Sequence, residues 1–216
     1  MNNNNNLIRR NLLHVYIYEK GFPCKNTPII EWRQKEISSD ITRNQYARGD
    51  KFWTWKLLEK ACRKSLGREL NDLNPHRIET QRVVIDGYYV SMSNSKDFVM
   101  VAVSSKPVGV DIQVFRPSAT AFRKDSGVWS ENELDIVSEK DLEFNCQIWA
   151  NKEALYKMLD PGFSYEENKN KVDTIPYQDY FVNGVEDEMY FWSISSELIK
   201  NGSKPKIFKW PLLSER

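Results

Sequence analysis

Residues 98–115 read FVMVAVSSKPVGVDIQVF, two apolar strand-like runs separated by a Lys-Pro turn. The pattern predicts a hairpin whose second strand sets Asp111 among Val108, Val110, Ile112 and Val114. Aspartate is depleted in strands and is almost never fully buried without a partner. A fold that accepts this segment must bring a partner to the carboxylate or leave the strand at an exposed edge. Gln113, two residues on and on the same strand face, is polar too.

The 31 basic and 30 acidic residues nearly cancel, so no global charge draws the chain to nucleic acid or an acidic membrane. Its 216 residues suffice for one large domain or two small ones. No apolar run is long enough to span a bilayer. The start, MNNNNNLIRR, lacks the apolar stretch and cleavage site of a signal peptide, and its asparagine run reads as a low-complexity lead-in. Cys24, Cys62 and Cys146 are far apart and odd in number, and only His14 and His76 accompany them, which argues against a Cys/His zinc site. These features predict a reduced, cytoplasmic protein.

Periodicity and turn residues place the elements. LLHVYIYEK (12–20) predicts a first strand, and NTPIIEWRQKEIS (26–38) a helix with Pro28 near its start. Residues 43–67 predict a long helix ending at Gly67, with Trp55, Leu58, Ala61, Cys62 and Leu66 at three- and four-residue steps. Residues 77–93 predict a hairpin around Asp86-Gly87, a dipeptide that two-residue turns prefer. Residues 116–130 are polar and irregular. SENELDIVSEK (130–140) predicts a helix opened by a capping box of Ser130 and Glu133. A further helix spans 142–160, stopped by Pro161-Gly162, and strands are expected within 171–181, 188–195 and 205–213. There is no regular βαβ alternation and no Gly-rich phosphate loop. The order predicts an α+β fold with two halves alike in outline, each a helix packed with antiparallel strands.

A second carboxylate stands in WANKEALYK (149–157). Trp149, Glu153, Tyr156 and Lys157 share a helix face by their spacing, and Lys152 lies next to Glu153. Mg²⁺ takes hard oxygen ligands and is usually held by one or two carboxylates, with phosphate and water completing its shell. Asp111 on a strand and Glu153 on a helix suit such a pair, with lysines to neutralise phosphate. Spacing alone leaves the plainer alternative open, a solvated Glu153–Lys157 pair worth a few tenths of a kcal/mol and an Asp111 at an exposed edge.

Taken together, VGVDIQ and WANKEALYK resemble the two signature motifs of the 4′-phosphopantetheinyl transferase superfamily. Gly109, Val110, Asp111 and Ile112 match the first, and Trp149, Lys152, Glu153, Ala154 and Lys157 the second. The stretch SMSNSKDFVMVAVS (91–104) is similar to the strand motif that precedes them in the family. RGDKFWTWKLLEKA (48–61) resembles the helix that opens its coenzyme A site. The length resembles the monomeric, surfactin-synthetase-activating branch. That resemblance implies two similar halves (a pseudo-dimer), residues 1–109 and 110–216, with the active site in the cleft between them.

The resemblance also implies the chemistry: transfer of the phosphopantetheine arm of coenzyme A to a serine of an apo acyl or peptidyl carrier protein. Mg²⁺ would be held by Asp111, Glu153 and Gln113. Glu153, or a water beside the cation, would take the serine proton, and Lys157 and Lys152 would hold phosphate oxygens. Ser93, Asn94, Thr54, Arg43 and Arg48, with Lys51, would contact the phosphates. Three positions depart from the family pattern. Gln113 stands where a third acid is common, Asn94 replaces a histidine, and the family's Gly-Lys-Pro element is not recognisable, leaving Arg82 as a substitute for its lysine. Gln113 and Asn94 motivate a second expectation, a non-catalytic or weakly active homologue that binds coenzyme A or a carrier protein.

Overall fold

The computed structural model describes residues 11–19, 49–69, 72, 75–78, 82–160 and 169–210. The helix expected over 26–38, together with Arg43 and Arg48, lies outside them. The first strand is β1 (Leu13–Glu19) and the first described helix is α1 (Gly49–Leu66). Then come β2 (Pro75–Ile78), β3 (Arg82–Ile85), β4 (Tyr88–Asn94), β5 (Phe98–Ser104) and β6 (Val108–Val114). Asp86 and Gly87 join β3 to β4 with φ of 50° and 81°, the left-handed pair that a two-residue hairpin turn demands.

The remaining elements are α2 (Glu131–Leu134), α3 (Leu142–Leu159), β7 (Phe181–Glu186), β8 (Tyr190–Ser196), α4 (Glu197–Lys200) and β9 (Lys206–Trp210). The strands form a six-stranded sheet in the order β2-β3-β4-β5-β1-β9 and a three-stranded sheet in the order β6-β8-β7. Every pairing is antiparallel except β1 with β9. The fold is α+β, as the sequence predicts.

Alternation along the strands sets the layers. On β5, Val99, Val101 and Val103 face α1 together with Leu57, Leu58, Ala61 and Cys62. Phe98, Met100 and Ala102 face the other way and meet Val110 and Ile112 of β6 and Trp192 and Ile194 of β8. The continuous apolar run on β5 thus follows from burial on both faces, each full side-chain burial contributing about 1.5–3 kcal/mol. A third core, beneath α3, gathers Ile148, Trp149, Leu155, Met158, Phe122 and Phe191.

Three expectations change. Residues 98–114 are not a hairpin: both edges of β5 are taken, by β4 and β1, so the Lys-Pro turn carries the chain into the second sheet, where β6 pairs with β8. The helix expected over 130–140 is the single turn α2, although its capping box forms in full. The strand expected over 171–181 is replaced by short 3-10 turns at Lys169–Lys171 and Ile175–Tyr180, the second of which contains Pro176, a residue without an N–H for a ladder. Strand β9, which falls in the expected half 110–216, pairs in parallel with β1 at the end of the larger sheet.

Candidate active site

Helix α3 lies directly on β6. A Cβ at Gly109 would come 1.7 Å from the carbonyl oxygen of Ala154 and 2.7 Å from the backbone nitrogen of Met158. The glycine of the strand motif and the alanine of the helix motif are therefore a matched pair that lets two backbones touch. With that contact fixed, Asp111 and Gln113 follow Gly109 on the strand face turned to α3.

Asp111 is 3% exposed. Its Oδ1 accepts from Ser93 Oγ at 2.7 Å and from Lys157 Nζ at 2.8 Å. Lys157 also donates to the Val110 carbonyl at 3.0 Å, and its Nζ stands 3.8 Å from Glu153 Oε2. One ammonium thus lies within 4 Å of both motif carboxylates. Burial alone would lower the Lys157 pKa, but the Asp111 and Glu153 charges and the Asp111 hydrogen bond outweigh it and hold it above the ordinary lysine value. The partner that the strand aspartate demands is thus Lys157, with Ser93 beside it.

Glu153 opens onto a cleft of about 640 Å³. Asn94, Ser95 and Lys96 line it from the end of β4, Gln113 and Arg116 from the end of β6, Trp149 and Glu153 from α3, and Lys169 from the following turn. The Lys169 ammonium sits 5.0 Å from the centre of the Trp149 ring. Lys96, Arg116 and Lys169 give the cleft three cations that the motif reading missed. Lys96 lies two residues beyond Asn94 and Arg116 two beyond Val114, so a search of the strand ends would have found them; Lys169 had no such signal.

The structure brings together Asp111, Glu153 and Lys157, and it sets Asn94 and Gln113 on the cleft. It does not bring Lys152 there. That side chain is 0% exposed and donates to Glu133 Oε2 at 2.5 Å and to the Val172 carbonyl. The expected phosphate contact is corrected to a buried ion pair. Ser93 is also turned from the cleft, because its hydroxyl is engaged by Asp111 and by the Ile112 N–H. Thr54 is buried on α1 and is not part of the cleft lining.

Asp111 Oδ2 is buried and has no hydrogen-bond partner among the described residues. A buried carboxylate oxygen in that state is costly unless something positive meets it. Asp111, Gln113 and Glu153 offer only oxygen ligands, the chemistry of a hard divalent cation. The residues present therefore fit a Mg²⁺ site.

The family model of the 4′-phosphopantetheinyl transferase superfamily matches residues 107–206. A curated relative, 4′-phosphopantetheinyl transferase psf-1 of Bacillus pumilus, is 32% identical over 83 residues, 38% of this chain and 36% of the relative. The chain spans about a third of the length of the curated relative it matches. The segment that is similar to the 4′-phosphopantetheinyl transferase superfamily, residues 107–206, holds both carboxylates, the lysine between them and the Gly109–Ala154 contact.

Proposed function

We propose that the protein transfers the 4′-phosphopantetheine arm of coenzyme A to a serine of an apo carrier protein, as a cytoplasmic monomer, with Mg²⁺ held by Asp111, Glu153 and Gln113. The observation that carries this reading is the convergence of the two motif carboxylates on one ammonium, beside a cleft lined by three further cations. In the reaction the serine Oγ bonds to the phosphorus that carries the pantetheine. The bond from that phosphorus to the bridging oxygen breaks, and 3′,5′-adenosine bisphosphate leaves with the electron pair. When bound, Mg²⁺ supplies positive charge to the pyrophosphate oxygens and stabilises that leaving group.

The side chains of the chain do the rest. Glu153, with 23% of its side chain exposed against 4% for Asp111, is the carboxylate better suited to accept the serine proton. Lys157 keeps its charge through its raised pKa and neutralises phosphate as the bond breaks. Lys96, Arg116 and Lys169 suit the remaining phosphate oxygens of coenzyme A. Fatty-acid, polyketide and peptide-synthetase carriers are all candidate acceptors.

A non-catalytic homologue that binds coenzyme A or a carrier protein is the second reading. Gln113 favours it, because its amide brings no charge to the site. Intact-mass measurement of apo carrier proteins after incubation with the protein, coenzyme A and Mg²⁺ separates the two. Addition of the phosphopantetheine mass is expected, with Asp111→Asn slower by at least about 100-fold while still folded. Coenzyme A binding with no mass gain on any carrier would favour the second reading, and an unimpaired Asp111→Asn would remove Asp111 from the mechanism.

A further inference from the structure

Three serines stand at alternate positions of β4 and the turn after it, so all three lie on one face: Ser91, Ser93 and Ser95. The sequence shows this run of hydroxyls, and the structure shows what it meets. Strand β6 is an edge of the smaller sheet. An edge leaves a row of backbone groups that something must satisfy. Here Val110 N–H donates to Ser91 Oγ at 3.0 Å, Ile112 N–H to Ser93 Oγ at 3.3 Å and Val114 N–H to Ser95 Oγ at 3.0 Å. A ladder of side-chain hydroxyls thus joins the two sheets where backbone pairing stops.

The middle rung differs from the first. A hydroxyl that accepts one bond still has a proton to donate, and that of Ser93 goes to Asp111 Oδ1. Together with Lys157 it gives Oδ1 two donors, while the buried Oδ2 has none. A carboxylate rotates easily about its terminal torsion, so without Ser93 the ammonium alone would decide which oxygen faces where. We propose that Ser93 is a positioning residue: it fixes the Asp111 carboxylate with Oδ1 engaged by protein donors and Oδ2 reserved for the divalent cation. This rests on the cation reading of Asp111 given above.

Ser91 is a built-in control. It makes the same kind of bond to the β6 backbone but, among the described residues, none to Asp111. The experiment titrates Mn²⁺, as a spectroscopic stand-in for Mg²⁺, into the full chain with coenzyme A present, following free Mn²⁺ by electron paramagnetic resonance. Ser93→Ala is expected to bind Mn²⁺ at least about tenfold more weakly than wild type, the usual size of an outer-shell loss. Ser93→Thr should restore affinity, and Ser91→Ala should match wild type in Mn²⁺ affinity even as its melting temperature falls. Ser93→Cys, similar in size and a poor donor, carries the test if Ser93→Ala does not fold. Equal affinity of Ser93→Ala or Ser93→Cys and wild type overturns the positioning role alone, as does an equal loss in Ser91→Ala. Wild type that binds no Mn²⁺ overturns the cation site and this inference together.

Discussion

Lys152 and Glu153 are neighbours in the chain with different fates. A helix turns about 100° per residue, so adjacent side chains do not face the same way. With Glu153 on the cleft, Lys152 points into the protein and meets Glu133. The Glu133 carboxylate also accepts from Ser130 N–H, Thr174 N–H and Thr174 Oγ1, so it ties α2, α3 and the 172–174 segment together. Burial lowers the Lys152 pKa, with the Glu133 charge opposing it. Removing one partner of a buried pair leaves the other uncompensated. Lys152→Met should therefore lose about 3–5 kcal/mol in urea unfolding, and Lys152→Met with Glu133→Gln should recover part of it, because the amide removes the uncompensated charge and keeps an acceptor oxygen for Thr174. The capping box was legible in the sequence because its two residues are three apart. The second role of Glu133 was not, because Lys152 and Thr174 come to it only through tertiary packing.

Strand β6 and helix α3 depend on a contact with no side chain in it. Ala154 and Met158 press their backbones on Gly109, and an added methyl has nowhere to go, because the atoms it meets are backbone rather than the tip of a flexible side chain. Gly109→Ala should destabilise the protein by about 3 kcal/mol, read as a lower urea midpoint, and should disturb Asp111 two residues away. The motifs announced a strand and a helix that belong together, and the order and type of most elements could be read from periodicity. The partner of each strand could not. An apolar run such as β5 states that both its faces are buried, but not which neighbour takes each edge, and so the expected β5–β6 hairpin became a crossing between sheets. The serine ladder was visible as alternating hydroxyls, but the edge it covers was not.

At the scale of the whole molecule, β1, α1 and β9 meet around His14. Its Nδ1 lies 3.0 Å from Ser65 Oγ on α1, and its ring packs edge-on to Phe208 of β9 at 5.5 Å. Lys64 and Lys206 both sit over the Phe208 ring. Burial first, then the charges of Lys206 and Lys64, lower the His14 pKa below 6.5. The unfolded chain thus takes up the proton more readily than the folded one. Stability that is complete above pH 6.5 should fall as pH drops through 6.5 toward the lower folded value. The melting temperature of wild type should decline over that window, and His14→Gln should flatten the decline. A variant that keeps the wild-type slope would place the titrating group elsewhere.

The parallel pairing of β1 with β9 has a consequence for the chain as it is made. His14 pairs with Lys206, so the two neighbours in the sheet are separated by most of the polypeptide. A ribosome adds residues in order, and at ordinary elongation rates β9 follows β1 by roughly ten to forty seconds. For that interval one side of β1 presents open backbone donors and acceptors, the kind of surface to which another strand can add. Until β9 docks, the nascent protein is a template for misassembly, and its safe passage rests on how quickly that strand finds its place.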